Sequence, residues 1–195
     1  MKNILFIFVS FIIMFSTSCV NHGTQHYKNK QIDTTILGKV TDSIFTANSG
    51  DYLYNDVIEN DIKNDFENYF KNFKGKNIAA INELEFMCKN IKDYGDYCFV
   101  YMDMCVEGPF YCKYLDSEII KFLEITFQVD RKTAKQFSWD TDNVITYKIT
   151  DCKFDNFEFG PTYYNETDSF DLSRKILCVD YGTLVLKDVK FEKTN

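Results

Sequence analysis

Histidine is nearly absent from this chain of 195 residues. There are two, His22 and His26, and both lie in one polar stretch near the N-terminus. Ser-His-Asp and Cys-His catalysis therefore lack their base, and the common zinc sites lack their nitrogen ligands. The glycine-rich signatures are missing too: there is no G-x-S-x-G, no G-x-x-x-x-G-K-[ST] and no G-x-G-x-x-G. No two cysteines stand in the C-x-x-C spacing of zinc ribbons and thioredoxin-like sites. Nothing in these patterns calls for a catalytic group, a metal or a cofactor. Proline occurs twice, as Pro109 and Pro161, so no Pro-rich linker divides the chain. No internal repeat marks a solenoid or propeller. Positive charge is the minority: 22 Lys+Arg stand against 29 Asp+Glu, a formal net charge of −7, and the signs are interleaved. An acidic surface without a basic stripe repels a phosphate backbone, which argues against a nucleic-acid partner.

What the chain has is aromatic surface. Nineteen Phe and thirteen Tyr contribute most of the 17% aromatic content, within 45% apolar residues overall. That excludes a disordered chain, which lacks the apolar surface to offset its conformational entropy. Aromatic side chains suit half-buried pleated surfaces, so the composition favours sheet. The length suits a single domain.

Residues 1–18 read as a signal peptide. Lys2 gives the charged start, and residues 4–15 form an apolar run broken only by Ser10. That run is too short to cross a bilayer, which takes about 20 residues. Ser16, Thr17 and Ser18 then lead to Cys19. Small residues directly before a cysteine resemble the lipobox of bacterial lipoproteins. Ser16 stands where Leu is usual, which resembles the relaxed form found in spirochaete-like bacteria. The resemblance implies cleavage before Cys19, a diacylglycerol on its thiol and palmitate-like acyl chains in the membrane. It also implies an exported protein of the cell envelope, periplasmic or at the cell surface. The alternative is an ordinary signal peptide cut nearby. Each buried methylene of an acyl chain adds about 0.8 kcal/mol of membrane affinity, so several chains hold a domain firmly. Residues 19–33 are polar and aperiodic, the pattern of a tether. No helical face aligns His22 with His26 as a metal pair.

Beyond Cys19 there are six cysteines: Cys88, Cys98, Cys105, Cys112, Cys152 and Cys178. An even number in an exported chain favours disulfides. Buried thiols are the alternative. Cys88 and Cys98 flank a turn, where a hairpin register would let them face each other.

Residues 34–45 read as a short strand or an arm. Next, Val57, Ile58, Ile62, Phe66, Tyr69, Phe70 and Phe73 recur at spacings of three and four, which predicts an amphipathic helix over 56–73. Asn55 and Asp56 offer caps at its start, and Gly75 follows its end. The period then changes to two. Strands are expected over 78–88, with a bulge near Asn82, and over 97–106, apolar on both faces. A third strand is expected to start over 110–114 and continue over 119–129, with Lys121, Leu123, Ile125, Phe127 and Val129 on one face; a helical turn over Asp116 to Phe122 is the alternative. A short helix over 131–137 precedes strands over 144–154, 176–180 and 183–191, with Gly182 in the last turn. Residues 157–172 read as a loop. The fold class is mainly β, within the α+β group.

The order of strand, strand, strand, short helix, strand, strand resembles the OB-fold, a five-stranded and partly open barrel. So do two local runs: Lys74-Gly75-Lys76-x-Ile78 leading to Leu84 and Phe86, and Ala134-x-x-Phe137 followed by Val144-Ile145-Thr146-Tyr147. These are similar to OB-like domains of exported bacterial proteins. The resemblance implies a small barrel over about 76–191, with the helix before it, inside one domain spanning 34–195. An α+β sandwich, with that helix covering one face of a sheet, is the alternative.

By analogy with OB barrels, binding falls on the second and third strands, 97–106 and 110–129. Tyr97, Phe99 and Tyr101 are the candidates there. Phe157, Phe159, Tyr163 and Tyr164 stand among Asn165, Glu166 and Asp168 in the loop, a mixture suited to a protein or sugar surface. The alternative is a loop that packs its own aromatics inward. Asp140 with Asp142, and Asp151 with Asp155, lack the spacing of a calcium loop. Glu83 and Glu85, at i and i+2, would point to one side of a strand. Paired carboxylates serve glycosidases, yet a polar outward face accounts for them as well. Asn165-Glu166-Thr167 matches a glycosylation acceptor, which counts for little in a bacterial lipoprotein. The expected function is a non-catalytic binding module of the cell envelope. It is held by N-terminal acyl chains and contacts another envelope protein or a saccharide. A structural envelope lipoprotein and a carboxylate-dependent hydrolase of envelope sugars are the alternatives.

Overall fold

The computed structural model describes residues 32–48, 55–105, 109–112, 117–137, 145–167 and 175–194. The signal, Cys19, both histidines, Asp140, Asp142 and residues 168–172 lie outside them.

Among the described residues, two helices come first. Helix α1 (Ile36–Ala47) replaces the strand or arm expected from its β-branched residues. Leu37, Thr41, Ile44 and Phe45 lie on one buried face at helical spacing. The Thr35 side chain caps the start by accepting the Gly38 N–H at 3.0 Å. Helix α2 (Asp56–Lys71) is the predicted amphipathic helix. Asn55 accepts the Val57 and Ile58 N–H groups, acids occupy the first turn and Lys71 the last, all favourable to the helix dipole. Ile62, Phe66 and Phe70 face the core, whereas Val57 points outward and is 69% exposed.

Helix α3 (Ala79–Asn82) stands where a strand was expected, and strand β1 (Glu85–Asp93) begins only after it. The β1 bulge falls between Cys88 and Asn90, not near Asn82. Strand β2 (Cys98–Met104) buries Cys98, Val100, Met102 and Met104 and leaves the intervening residues half-buried, as its alternation predicts. Strands β3 (Phe110–Cys112) and β4 (Ser117–Val129) follow, and β4 buries Ile119, Lys121, Leu123, Ile125 and Phe127. Helix α4 (Arg131–Ala134), capped by Asp130, leads to β5 (Thr146–Phe159), β6 (Thr162–Thr167) and β7 (Lys175–Lys193).

The last strands correct two expectations. Much of the 157–172 segment is strand: β5 runs on to Phe159, and β6 follows it. The two final strands are one. Strand β7 passes straight through Gly182, which has φ 80° and sits beside a register shift rather than in a turn. Phe159 and Gly160 cross so close that a Cβ at Gly182 would overlap their backbone. Glycine is required there by both φ and contact.

The seven strands form one sheet in the order β3-β4-β2-β1-β5-β7-β6. A further parallel pairing of β4 with β7 closes β1, β2, β4, β7 and β5 into a ring, and among the described residues every other strand pair is antiparallel. Phe86, Val100, Met102, Ile125, Phe127, Tyr147, Ile149 and Leu184 fill the core. The helices cover part of the sheet through edge-to-face rings: Phe66 and Phe70 meet Tyr181, and Phe45 meets Tyr163. No described helix is long and apolar enough to cross a membrane.

Candidate functional site

The β1–β2 hairpin carries an aromatic cluster. Its turn is set by Gly95 at φ 91°, whose N–H donates to Asp93 Oδ1 at 2.8 Å. Tyr94 then stacks on Tyr97 with ring centres 5.5 Å apart and an interplanar angle of 17°. Phe99 meets both rings edge-on at 5.9 and 5.8 Å. Tyr94 remains 55% exposed. Tyr101 continues the row along β2, with Lys92 Nζ 4.5 Å from its ring centre. An ion pair between Asp93 and Arg131, at 2.7 Å, ties the hairpin to α4.

Beyond Tyr101 the row becomes polar. Asp103 lies opposite Glu124 in the β2–β4 register. Lys89 Nζ reaches both carboxylates, at 3.3 Å from Asp103 and 2.6 Å from Glu124. The Thr183 hydroxyl donates to the other Glu124 oxygen at 3.0 Å. The hydrogen bond to Glu124 holds the Lys89 ammonium above its ordinary pKa. Burial pushes the Asp103 carboxyl up, and Lys89 draws it back. Thr126, opposite Tyr101, is buried and its Oγ1 has no partner among the described residues. An aromatic end thus adjoins an end that offers both donors and acceptors. Rings supply contact area at low entropic cost, and the polar end supplies direction.

Of the residues singled out from sequence, the structure gathers Tyr97, Phe99 and Tyr101. It does not bring the later aromatics to them. Phe157 is partly buried and packs against the core residues Phe70 and Phe154, at 5.9 and 5.2 Å. Tyr163 is buried at 8% exposure. Phe159 and Tyr164 are exposed, at 66% and 46%. Tyr164, however, pairs with Cys178, and Cys178 with Ile120 of β4, whereas Tyr101 pairs with Thr126. At about 3.3 Å per residue, that is a separation of roughly 20 Å along β4. Tyr94, Lys89, Lys92, Asp103 and Glu124 were not singled out from sequence. Tyr94 stands beside Tyr97 across a Gly turn, a signal that was legible. The ion-paired group joins β1, β2 and β4 and needs their register to be seen.

The other candidates resolve differently. Glu83 closes α3 and accepts the Ile36 N–H at 2.8 Å, so it does not share a strand with Glu85. Asp151 and Asp155 pair with Lys190 and Lys187, each at 2.9 Å. No disulfide forms among the described residues. The hairpin places Cys98 opposite Asp93 and Cys88 opposite Met102, so these two cysteines do not face each other. Burial raises the thiol pKa of Cys88 and Cys152, which suits inert core residues.

No family model matches the chain, and no curated protein or solved structure matches it either.

Proposed function

We propose that this chain is a non-catalytic binding module of the cell envelope, exported and held on a membrane through acyl chains on Cys19. Its five-strand ring is read as an OB-like barrel: a short helix links the third ring strand to the fourth, and the third lies parallel to the fifth. The partner sits on the outer face of β1, β2 and β4. The observation that carries this reading is the half-exposed row of Tyr94, Tyr97, Phe99 and Tyr101 running into Lys89, Asp103 and Glu124. The partner is a saccharide or another envelope protein.

The test compares the chain without its anchor, residues 20–195, with a Tyr94→Ala, Phe99→Ala, Tyr101→Ala triple variant of the same span. Both are titrated against solubilised envelope glycans and detergent-extracted envelope proteins of the native host. Saturable binding by the wild type, lost in a triple variant of unchanged fold, supports the reading. Binding that survives the triple substitution, or none by either chain, overturns it. The anchor has its own readout: Cys19→Ser should release the protein from membranes.

A further inference from the structure

Strand β4 turns one charge into the core. Lys121 lies between the buried residues Ile119 and Leu123, with its side chain 5% exposed. Its Nζ stands 4.8 Å from the centre of the Phe110 ring. It pairs with Asp33 Oδ2, and Asp33 is itself 11% exposed. Beyond Asp33, the ammonium finds no hydrogen-bond acceptor among the described residues.

Asp33 precedes α1, and its second oxygen is also engaged: Oδ1 accepts the Thr35 N–H at 2.8 Å. Gly38, in the first turn of α1, lies against the same carboxylate, and a Cβ there would overlap Asp33 Cβ, Cγ and Oδ2. The helix N-terminus adds partial positive charge on that side. A cavity of about 10 Å³ beside the pair, lined also by Thr41, Asp42 and Tyr111, has room for about one water molecule. These are the parts of an anion site: a buried ammonium with spare donors, a directed amide, a glycine that leaves space and an aromatic ring against the ammonium.

Stability alone does not account for the lysine. A buried ion pair is commonly no more stabilising than apolar residues of similar volume, and the lysine's neighbours on the strand are apolar. We propose that Lys121, the Thr35 amide and Gly38 form a carboxylate-binding site. In this state it is filled by the chain's own Asp33, which pins the entry segment to β4. With the Asp33 carboxylate removed, the site accepts a small free carboxylate such as formate. Tethering gives Asp33 an effective concentration that a free anion does not match at ordinary levels, so the wild type is insensitive to formate.

The test is chemical rescue in the chain without its anchor, residues 20–195. Asp33→Ala is expected to lower Tm by about 5 °C, the scale of one or two lost polar contacts in a domain of this size. Sodium formate, at constant ionic strength, then restores at least half of that loss along a saturating curve. Sodium chloride does not restore it, and the Asp33→Ala, Lys121→Met double variant gives no formate response. An Asp33→Ala melting point equal to wild type overturns the proposal, as does equal action of formate and chloride. If Asp33→Ala does not fold in chloride, recovery of native circular dichroism in formate is the same test. Recovery in neither salt also overturns it.

Discussion

Tyr181 donates its phenolic hydrogen to Thr41, and this bond joins α1 to the centre of β7. The direction follows from Thr41's other bond: its hydroxyl hydrogen goes to the Leu37 carbonyl at 2.8 Å, which leaves its oxygen as the acceptor. Both side chains are buried, and burial holds the Tyr181 phenol far above its ordinary pKa. The two possible deletions are therefore unequal. Tyr181→Phe leaves Thr41 bonded to Leu37 and should cost about 1 kcal/mol. Thr41→Val strands a buried phenolic donor and should cost more, within about 1–3 kcal/mol. Urea unfolding of both variants tests this, and the reverse order would refute the assigned direction.

Gly75 and Gly182 both have positive φ, at 71° and 80°, but only Gly182 is also crowded. Gly75→Ala meets no atom within 4 Å and should lose about 1 kcal/mol to backbone strain alone. Gly182→Ala must also displace the crossing backbone of Phe159 and Gly160, and should lose clearly more. Equal midpoints in denaturant would show that the crossing yields easily.

What the sequence revealed and concealed follows from how local each signal is. The buried face of α2 and the alternation of β2 repeat over several turns or residues, so they were legible. So was the inward placement of Lys121, because its neighbours at i±2 are apolar. Helix α1 was hidden by Ile36, Val40, Thr41 and Ile44, whose β-branching suggests a strand until packing against Tyr181 and Phe66 outweighs propensity. Gly182 signalled a turn, because positive φ serves turns and bulges alike. The site was half legible. Tyr97, Phe99 and Tyr101 alternate along one strand, whereas Lys89, Asp103 and Glu124 meet only through register. Asp33 was placed in the tether, since nothing local links it to Lys121.

Burial pulls the Lys121 ammonium down to about 8, and the Asp33 carboxylate in contact with it opposes that pull. Asp42 and Tyr111 are the other titratable groups lining this cavity among the described residues. An unfolded lysine titrates near about 10.4. Between these values the unfolded chain binds more protons, so this group's contribution to stability increases with pH and is lost as pH falls through about 8. Wild type should therefore gain stability relative to Lys121→Met as pH rises from about 8 to about 10.4. A constant difference across that range would mean that Asp33 fully offsets the burial.

Phe70 touches Phe154, Phe157 and Tyr181 and is fully buried. Phe70→Ala should cost about 3–5 kcal/mol, the range for emptying a large aromatic site in a core. Tyr94→Ala, at the exposed hairpin tip, should cost less than about 1 kcal/mol, because cross-strand ring pairs contribute on that scale. Thermal melts of the two variants separate core aromatics from surface aromatics. A large loss at Tyr94 would make the cluster a structural device rather than a contact surface.

The proposed partner meets the outer face of β1, β2 and β4. The most direct measurement places a photo-crosslinking residue at Tyr101, and separately at the exposed Lys153 on β5, in the full chain expressed in its native host. A discrete adduct is expected from position 101, lost when Tyr94 and Phe99 are also replaced by Ala, with no matching adduct from position 153. No adduct from position 101, or the same adduct from both positions, would contradict it.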